Sequence, residues 1–197
     1  HLDYLQTWTE STHTWAYILN DNVPLVAPIG YSLYRTAGDN TYSFSGLLNT
    51  GTKSVGITHQ ATSGENIGAN LVGNPYPSYL DWDGLRNTYG AIYYWDGTGY
   101  KSWNNGGDGS RYAAPAQGFF IVTATDGSFQ VTNANRTNTA GTWYKSGQEL
   151  RPNTLVLETS GNSYTDKLFV EFNPEAGEAF DLVHDAYKFV STSDGIS

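Results

Sequence analysis

The sequence predicts an all-β fold, an antiparallel β-sandwich of jelly-roll type with at most one or two short helices. Apolar and polar residues alternate with a period of two along most of the chain, which places one face of each strand in a core. Turn signals rich in glycine, asparagine and aspartate separate the alternating runs. Aromatic residues make up 15% of the 197 residues and 22 residues are glycine, a composition typical of secreted β-sandwiches.

Strands are predicted wherever this alternation persists between two turn signals. In the first such run, Tyr31 and Leu33 alternate with Ser32. The run GFFIVTA is instead apolar throughout, which predicts a central strand covered on both faces. The predicted strands lie in GYSLYRT, TYSFSGLLN, KSVGITH, GFFIVTA, GSFQVTN, NTLVLETS and KLFVEF. Two segments, SYLDWDGLRN and EAFDLVHDAYKF, offer room for short helices.

The chain is long enough to bury one large core. Residues 133–153 hold few aliphatic side chains and many small polar ones, which makes them the most linker-like stretch. We expect a single β-sandwich module over residues 1–197, with a sub-boundary near 133–153. Residues 154–197 are too few to form a core of their own, so we expect them to add C-terminal strands to the sandwich.

Charge and composition exclude several classes of function. The net charge of −9 and the isoelectric point near 4.7 provide no basic surface for nucleic acid. No apolar run approaches the ~20 residues needed to insert into and cross a bilayer as a helix. The absence of cysteine excludes disulfides, thiolate catalysis and cysteine-bound zinc. We expect a monomer because of the net charge.

The sequence offers no catalytic residue. His1 is of the type that binds copper in oxidative polysaccharide-cleaving enzymes, with His13, His59 or His184 as a second ligand. A trimmed chain boundary also leaves a terminal histidine, and we favour that interpretation. No serine lies in a G-x-S-x-G motif. The 19 acidic residues neither support nor exclude the paired carboxylates of a glycosidase.

Clustered aromatic residues provide the strongest chemical signal. Adjacent strand residues such as Tyr94 and Trp95 must point to opposite faces. Exposed rings beside asparagine and aspartate stack on sugars and bond their hydroxyls. Packing within the sandwich explains the same cluster and is favoured, with glycan binding second. The candidate glycan-binding residues are Trp82, Tyr94, Trp95, Tyr100 and Trp103.

The string DWDG places Asp81 and Asp83 two residues apart, like the start of a calcium loop. An EF-hand needs a third ligand two residues further on and a glutamate at the twelfth position. Leu85 and Ile92 stand there, so the motif is not an EF-hand. No cofactor is predicted with certainty, and structural calcium at these two aspartates remains the minority alternative. Three further aspartates are interpreted as turn formers because each precedes glycine: Asp96, Asp108 and Asp126.

The string NLVGNPYPSYLDWDG predicts a rigid corner between strands. Pro75 and Pro77 remove two backbone donors and favour extended residues before them. Asn74 is expected to bond its own backbone, and Tyr76 is expected to pin the corner to the sandwich. Either proline bond is a candidate for the cis form. Gln117, before the apolar run, is expected to satisfy loop carbonyls through its amide.

Three strings follow one another in a specific order: GANLVGNPYPSYLDWD, AIYYWDGTGYKSWNNG and APAQGFFIVT. In that order they resemble a segment common in large secreted proteins of Bacteroidetes-type bacteria, the region upstream of C-terminal sorting domains for type IX secretion. The likeness extends upstream to PLVAPIGYSLYR and downstream to TDKLFVEFNPEAGEAFDLVHDAYKF, and so covers most of the chain. The resemblance implies a β-rich module that is secreted or displayed at the bacterial cell surface, and it implies no catalytic residues.

We therefore expect a non-catalytic extracellular module for adhesion, display or attachment. A carbohydrate-binding module and a polysaccharide-active enzyme are the two alternatives. The expected partner is a polysaccharide or another surface protein domain.

Overall fold

The computed structural model describes residues 3–19, 23–35, 46–97, 99–140, 153–161 and 164–189. Within these ranges the chain is all-β and sandwich-like, built from antiparallel sheets, as the alternation predicts. The strands are β1 Asp3–Thr9, β2 Thr14–Tyr17, β3 Ser32–Arg35, β4 Lys53–Ile57, β5 Ala69–Gly73, β6 Tyr79–Asp81, β7 Ile92–Trp95, β8 Tyr100–Trp103, β9 Tyr112–Ala113, β10 Gly118–Val122, β11 Gly127–Val131, β12 Arg136–Thr137, β13 Thr154–Gly161 and β14 Tyr164–Glu171.

A four-stranded sheet in the order β5-β10-β7-β8 forms the centre. Strands β2-β1-β3 and β12-β6-β9 form two three-stranded sheets, and β11-β4 and β13-β14 form two-stranded sheets. All of the pairings between these strands are antiparallel.

Both faces of the central sheet are buried. Successive residues of β10 point to opposite faces, so Phe119 and Ile121 enter one core while Phe120 and Val122 enter another. The first core lies between the central sheet and the β11-β4 and β12-β6-β9 sheets. It contains Ile57, Val72, Tyr76, Leu80, Trp82, Leu85, Ile92, Tyr94, Ala113, Phe119, Ile121, Phe129 and Val131. The apolar run GFFIV therefore has the role predicted for it.

The second core is aromatic and covers the other face of the central sheet. Its buried residues are Ala69, Ala91, Tyr93, Phe120 and Phe189, with Trp8, Trp15, Leu71, Tyr100 and Val122 packed against them. Trp8 meets Phe120 edge-on at 5.8 Å, and its Nε1 donates to the carbonyl of Ala69 at 2.8 Å. Sheet β2-β1-β3 and the segment ending at Phe189 thus cover the face that would otherwise meet water.

Short helices form in only one of the two segments that offered room for them. SYLDWDGLRN contains a 3₁₀ helix, Trp82–Gly84, followed by α1, Arg86–Tyr89. EAFDLVHDAYKF instead forms a turn over residues 182–184. Asp181 Oδ1 accepts the Val183 amide at 2.8 Å, and Asp185 Oδ2 accepts the Asp181 amide at 2.6 Å. Such local side-chain bonds compete with helix formation.

Two more 3₁₀ helices lie in the described ranges, at Glu10–Thr12 and Asn133–Asn135. No helix of the described chain has the length and apolar character needed to cross a membrane. The predicted strand in TYSFSGLLN lies mostly outside the described residues. Strands β1, β2, β8, β9 and β12 lie where the sequence pattern predicts no strand.

The C-terminal hairpin β13-β14 pairs over eight residues on each side. The segment after it returns to the body, where Asn104 Nδ2 donates to the Asp185 carbonyl at 2.7 Å. Phe189 then enters the second core, with its ring 4.5 Å from that of Tyr100 and 4.9 Å from that of Tyr93. The proposed sub-boundary and the addition of residues 154–197 to the sandwich stay predictions.

Replacing Phe189 with alanine is expected to lower the free energy of unfolding by about 3 kcal/mol, because a ring only 8% exposed leaves the aromatic core. The matched control is Phe172→Ala, which removes a ring that is 65% exposed and is expected to change stability by less than about 0.5 kcal/mol. Denaturant unfolding of both variants measures the difference. Equal losses of stability in the two variants would contradict the packing of Phe189 in the second core.

Candidate functional site

Two of the five aromatic residues predicted for glycan binding lie wholly inside the first core. Trp82 is 0% exposed and Tyr94 is 1% exposed, so neither ring has a face for a ligand. Trp82 turns inward at the 3₁₀ helix and donates from Nε1 to the Gly90 carbonyl at 2.7 Å. Tyr94 follows the alternation of β7, which directs it to the same core as Ile92. This burial corrects their assignment to a glycan platform.

The other three aromatic residues do not share one face. Trp95 pairs with Tyr100 across β7 and β8, and their rings meet edge-on at 5.1 Å. Trp103 pairs with Ile92, which places it on the opposite face of the sheet, against the first core. Burial raises the pKa of Tyr100 to about 12. Trp95, at 46% exposed, is therefore the most open ring of the predicted five.

The two aspartates predicted for calcium belong to an ion-pair network. Asp81 receives two bonds from Arg111, 2.7 Å from Nε and 2.8 Å from Nη2. Asp83 receives Arg86 Nε at 2.9 Å and lies 3.5 Å from Arg111 Nη2. The bonds from Arg111 hold the pKa of Asp81 below its ordinary value despite partial burial.

This network gives the calcium prediction no support, because arginines already balance both carboxylates. In the ranges that the structure describes, no group of three or more histidine, aspartate or glutamate side chains is placed to hold a metal.

The histidines considered for copper have separate local partners. His1 lies outside the described residues. His13 stacks on Trp8 with ring centroids 5.9 Å apart. His59 Nδ1 lies 2.7 Å from the Thr123 carbonyl, and His184 Nδ1 lies 3.2 Å from Asn173 Nδ2.

The corner at NPYPS is rigid for the reasons that the sequence suggested. Asn74 Oδ1 accepts the Tyr76 amide at 3.0 Å, so this side chain bonds its own backbone. The Tyr76 hydroxyl lies 2.6 Å from the Gly51 carbonyl and 2.9 Å from the Val131 carbonyl, which pins the corner to the sandwich. The cis peptide bond found in the described ranges is Ala27–Pro28, outside this corner.

Asn74 also satisfies loop carbonyls. Its Nδ2 lies 2.8 Å from the carbonyl of Ser78 and 3.1 Å from those of Ala113 and Ala114. Gln117 Oε1 accepts the Ala114 amide at 3.3 Å, and the predicted bonding of loop carbonyls by its amide group stays a prediction. Asn74 is 4% exposed, and its position inside the corner lets it reach two chain segments at once.

Of the aspartates predicted to form turns, two act within their own turn and one does not. Asp96 Oδ1 accepts the Gly99 amide at 2.9 Å, and Asp108 Oδ1 accepts the Ser102 amide at 3.2 Å. Asp126 Oδ1 bonds the amide of His59, on a different loop, at 2.7 Å.

Glu10 is a buried carboxylate that sequence reasoning missed. It is 4% exposed and accepts from the amides of Gln60, Ala61 and Gly68 at 2.9, 3.2 and 3.0 Å, and from the Thr58 hydroxyl at 3.0 Å. Burial alone would raise its pKa, but these bonds outweigh burial and lower the pKa below its ordinary value. The residues next to Glu10 in the sequence give no sign of its burial, because its four donors lie about fifty residues further along the chain.

The C-terminal hairpin carries an exposed apolar surface. The register pairs Leu155 with Val170 and Leu157 with Leu168, so these four side chains share one face. Phe172 continues that face, because its amide bonds the Asn153 carbonyl at 3.0 Å. Together these five residues are called the hairpin face. The exposed fractions are 45% for Leu155, 49% for Leu157, 54% for Leu168 and 65% for Phe172.

Asn74→Ala is expected to lower the free energy of unfolding by about 3 kcal/mol, because buried carbonyls and the Tyr76 amide lose their partners. Asn133→Ala serves as the control, since it removes an exposed acceptor from the Gly51 amide and is expected to cost less than about 1 kcal/mol. Denaturant unfolding compares the two. A smaller loss at Asn74 than at Asn133 would contradict its bracing role.

Glu10→Gln is expected to cost about 2 kcal/mol at pH 7, because an amide NH₂ cannot accept from the surrounding donors. The folded pKa of Glu10 lies below its ordinary value of 4.5, so the carboxylate stabilises the fold fully above that pH. Its contribution falls as pH drops below 4.5 and is lost below the folded pKa. The free energies of unfolding of wild type and Glu10→Gln should therefore converge in acid.

Urea unfolding between pH 7 and pH 3 measures that convergence. Glu175→Gln, a change at an exposed residue, is the control and is expected to leave the stability at pH 7 within about 0.5 kcal/mol of wild type. A constant difference in the free energy of unfolding between wild type and Glu10→Gln at every pH would contradict stabilisation by the ionised Glu10 carboxylate.

Comparison with known proteins suggests no function for this chain. The chain matches no protein-family model, no curated protein and no solved structure.

Proposed function

We propose that the chain is a non-catalytic module of an exported bacterial surface protein and that it serves attachment to another protein. The hairpin face is the observation that carries this proposal. Contiguous apolar side chains exposed on a folded module mark surfaces where proteins associate. A hairpin of two strands is also marginal by itself, and a bound partner would stabilise it.

The use of the polar side chains supports attachment over catalysis. Glu10, Asn74 and Asp81 each bond two or more groups inside the protein, and these bonds hold loops and turns in place. Such groups act as braces, and structural networks of this kind also perturb the pKa values of carboxylates. Export is supported by the resemblance to secreted Bacteroidetes-type proteins.

Glycan binding at Trp95 is the second candidate. Its ring is 46% exposed at the end of β7. An open indole of this kind suits stacking on a sugar ring.

The fluorescently labelled chain is expected to bind saturably to intact Bacteroidetes-type cells, and trypsin treatment of the cells is expected to remove the binding. Trp95→Ala should change the apparent affinity by less than about twofold, since attachment uses another surface. Flow cytometry measures both effects, with labelled albumin as the negative control.

Each alternative has its own outcome in this assay. Binding that survives trypsin, is competed by soluble polysaccharide and falls about tenfold or more in Trp95→Ala would replace attachment with glycan binding. Release of reducing ends from those polysaccharides would contradict a non-catalytic module. Absence of saturable binding would contradict attachment.

A further inference from the structure

The outer edges of the C-terminal hairpin carry no further strand within the described residues. Strands β13 and β14 pair with each other over their whole length. Proteins usually protect such edges with lysine, proline or a bulge. Strand β13, TLVLETSG, contains neither lysine nor proline, whereas β14 contains Lys167. The β13 edge is therefore the more open of the two to strand addition.

The two faces of the hairpin differ in chemistry. One is the hairpin face, which is apolar. On the opposite face Glu158 pairs with Lys167 across the strands, with Oε2 and Nζ 3.2 Å apart. Glu171 lies on this face as well, opposite Thr154, and Val156 pairs with Phe169 between these two charged positions, so the face is mixed. A strand added at β13 would continue both faces, so its side chains on the first face must be apolar and the one beside Glu158 must be charged.

The charge of the surrounding segment indicates which sign of charge the partner strand should carry. The described residues from 153 to 189 hold seven acidic and two basic side chains, a net charge of −5 out of −9 for the chain. Both basic residues are already paired, Lys167 with Glu158 and Lys188 with Asp166. This excess favours a basic partner and disfavours a second copy of the chain, which would bring a second acidic hairpin against the first.

We propose that the β13 edge and the hairpin face bind an extended strand of a partner protein in which apolar residues alternate with lysine or arginine. The strand adds to β13 through backbone hydrogen bonds. Its apolar side chains extend the row that includes Leu155 and Leu157. Its basic side chains lie on the other face, where Glu158 stands between the new cation and Lys167. This inference rests on the proposed attachment function and specifies its partner.

The direct test uses a fluorescein-labelled nine-residue peptide that alternates valine with lysine. Fluorescence anisotropy with the full chain is expected to show binding that weakens as salt is added. A peptide with glutamate in place of lysine should bind about tenfold or more weakly. A lysine peptide methylated on the backbone nitrogens that face β13 should also lose binding, because it cannot complete the strand pairing.

Variants of the chain locate the surface. Leu157→Ser is expected to weaken binding of the lysine peptide about tenfold or more, because it removes an apolar contact. The matched control is Leu48→Ser, a leucine that is 76% exposed elsewhere, with a change of less than about twofold. Glu158→Gln should reduce the preference for lysine over glutamate. Amide shifts in NMR spectra should concentrate at β13.

Four outcomes would overturn the proposal. The first is equal binding of the lysine and glutamate peptides, and the second is amide shifts centred on Trp95. The third is a concentration-dependent dimer, seen by analytical ultracentrifugation, that Leu157→Ser abolishes, because the occupant would then be a second copy. The fourth is a fall of more than about 2 °C in the unfolding temperature of Leu157→Ser, which would mean that the leucine packs inside the protein.

Failure of this inference can be told apart from failure of the attachment function. The peptide assay uses no cells. If Leu157→Ser abolishes peptide binding but keeps full binding to cells, attachment stands and uses a different surface. If the peptide binds as expected but cells do not bind the chain, the strand-binding surface stands and attachment to the cell surface is wrong.

Discussion

Burial of the central sheet on both faces is the constraint on which the rest of the structure depends. Strand β10 sends Phe119 and Ile121 into one core and Phe120 and Val122 into the other. A sheet buried in this way must be covered by two further layers. Strand β1 and the last described residues therefore meet on the same surface, where Trp8 and Phe189 both contact Phe120.

Two covered faces also force the loops between the layers to satisfy their own polar groups. Buried carbonyls and amides without water need partners from side chains. Asn74 supplies them where the corner before β6 meets the end of β9, and Glu10 supplies them where the β1–β2 turn meets residues 58–68. Asn70 braces the same loop through the Thr58 amide and carbonyl. These short side chains hold the layers in register.

Sequence patterns predicted what depends on neighbours along the chain. The apolar run of β10, the alternation in β4 and β11, and the local bonds of Asn74 are of this kind. Strands β1 and β2 were missed because Trp8 and Trp15 pack against Phe120, more than one hundred residues away. The inward turn of Trp82 was missed as well, since Arg111 holds Asp81 at the start of its 3₁₀ helix.

The same constraint separates the aromatic cluster around Tyr94 from the proposed binding surface. A sheet with a core on each face needs large side chains on both faces, and tyrosine and tryptophan supply them. The high number of aromatic residues near Tyr94 therefore reflects packing in the cores. The proposed recognition then depends on an element outside both cores. The hairpin meets that condition, because its Leu157 and Leu168 lie in neither core and remain about half exposed. A partner strand can reach them without disturbing the layers beneath.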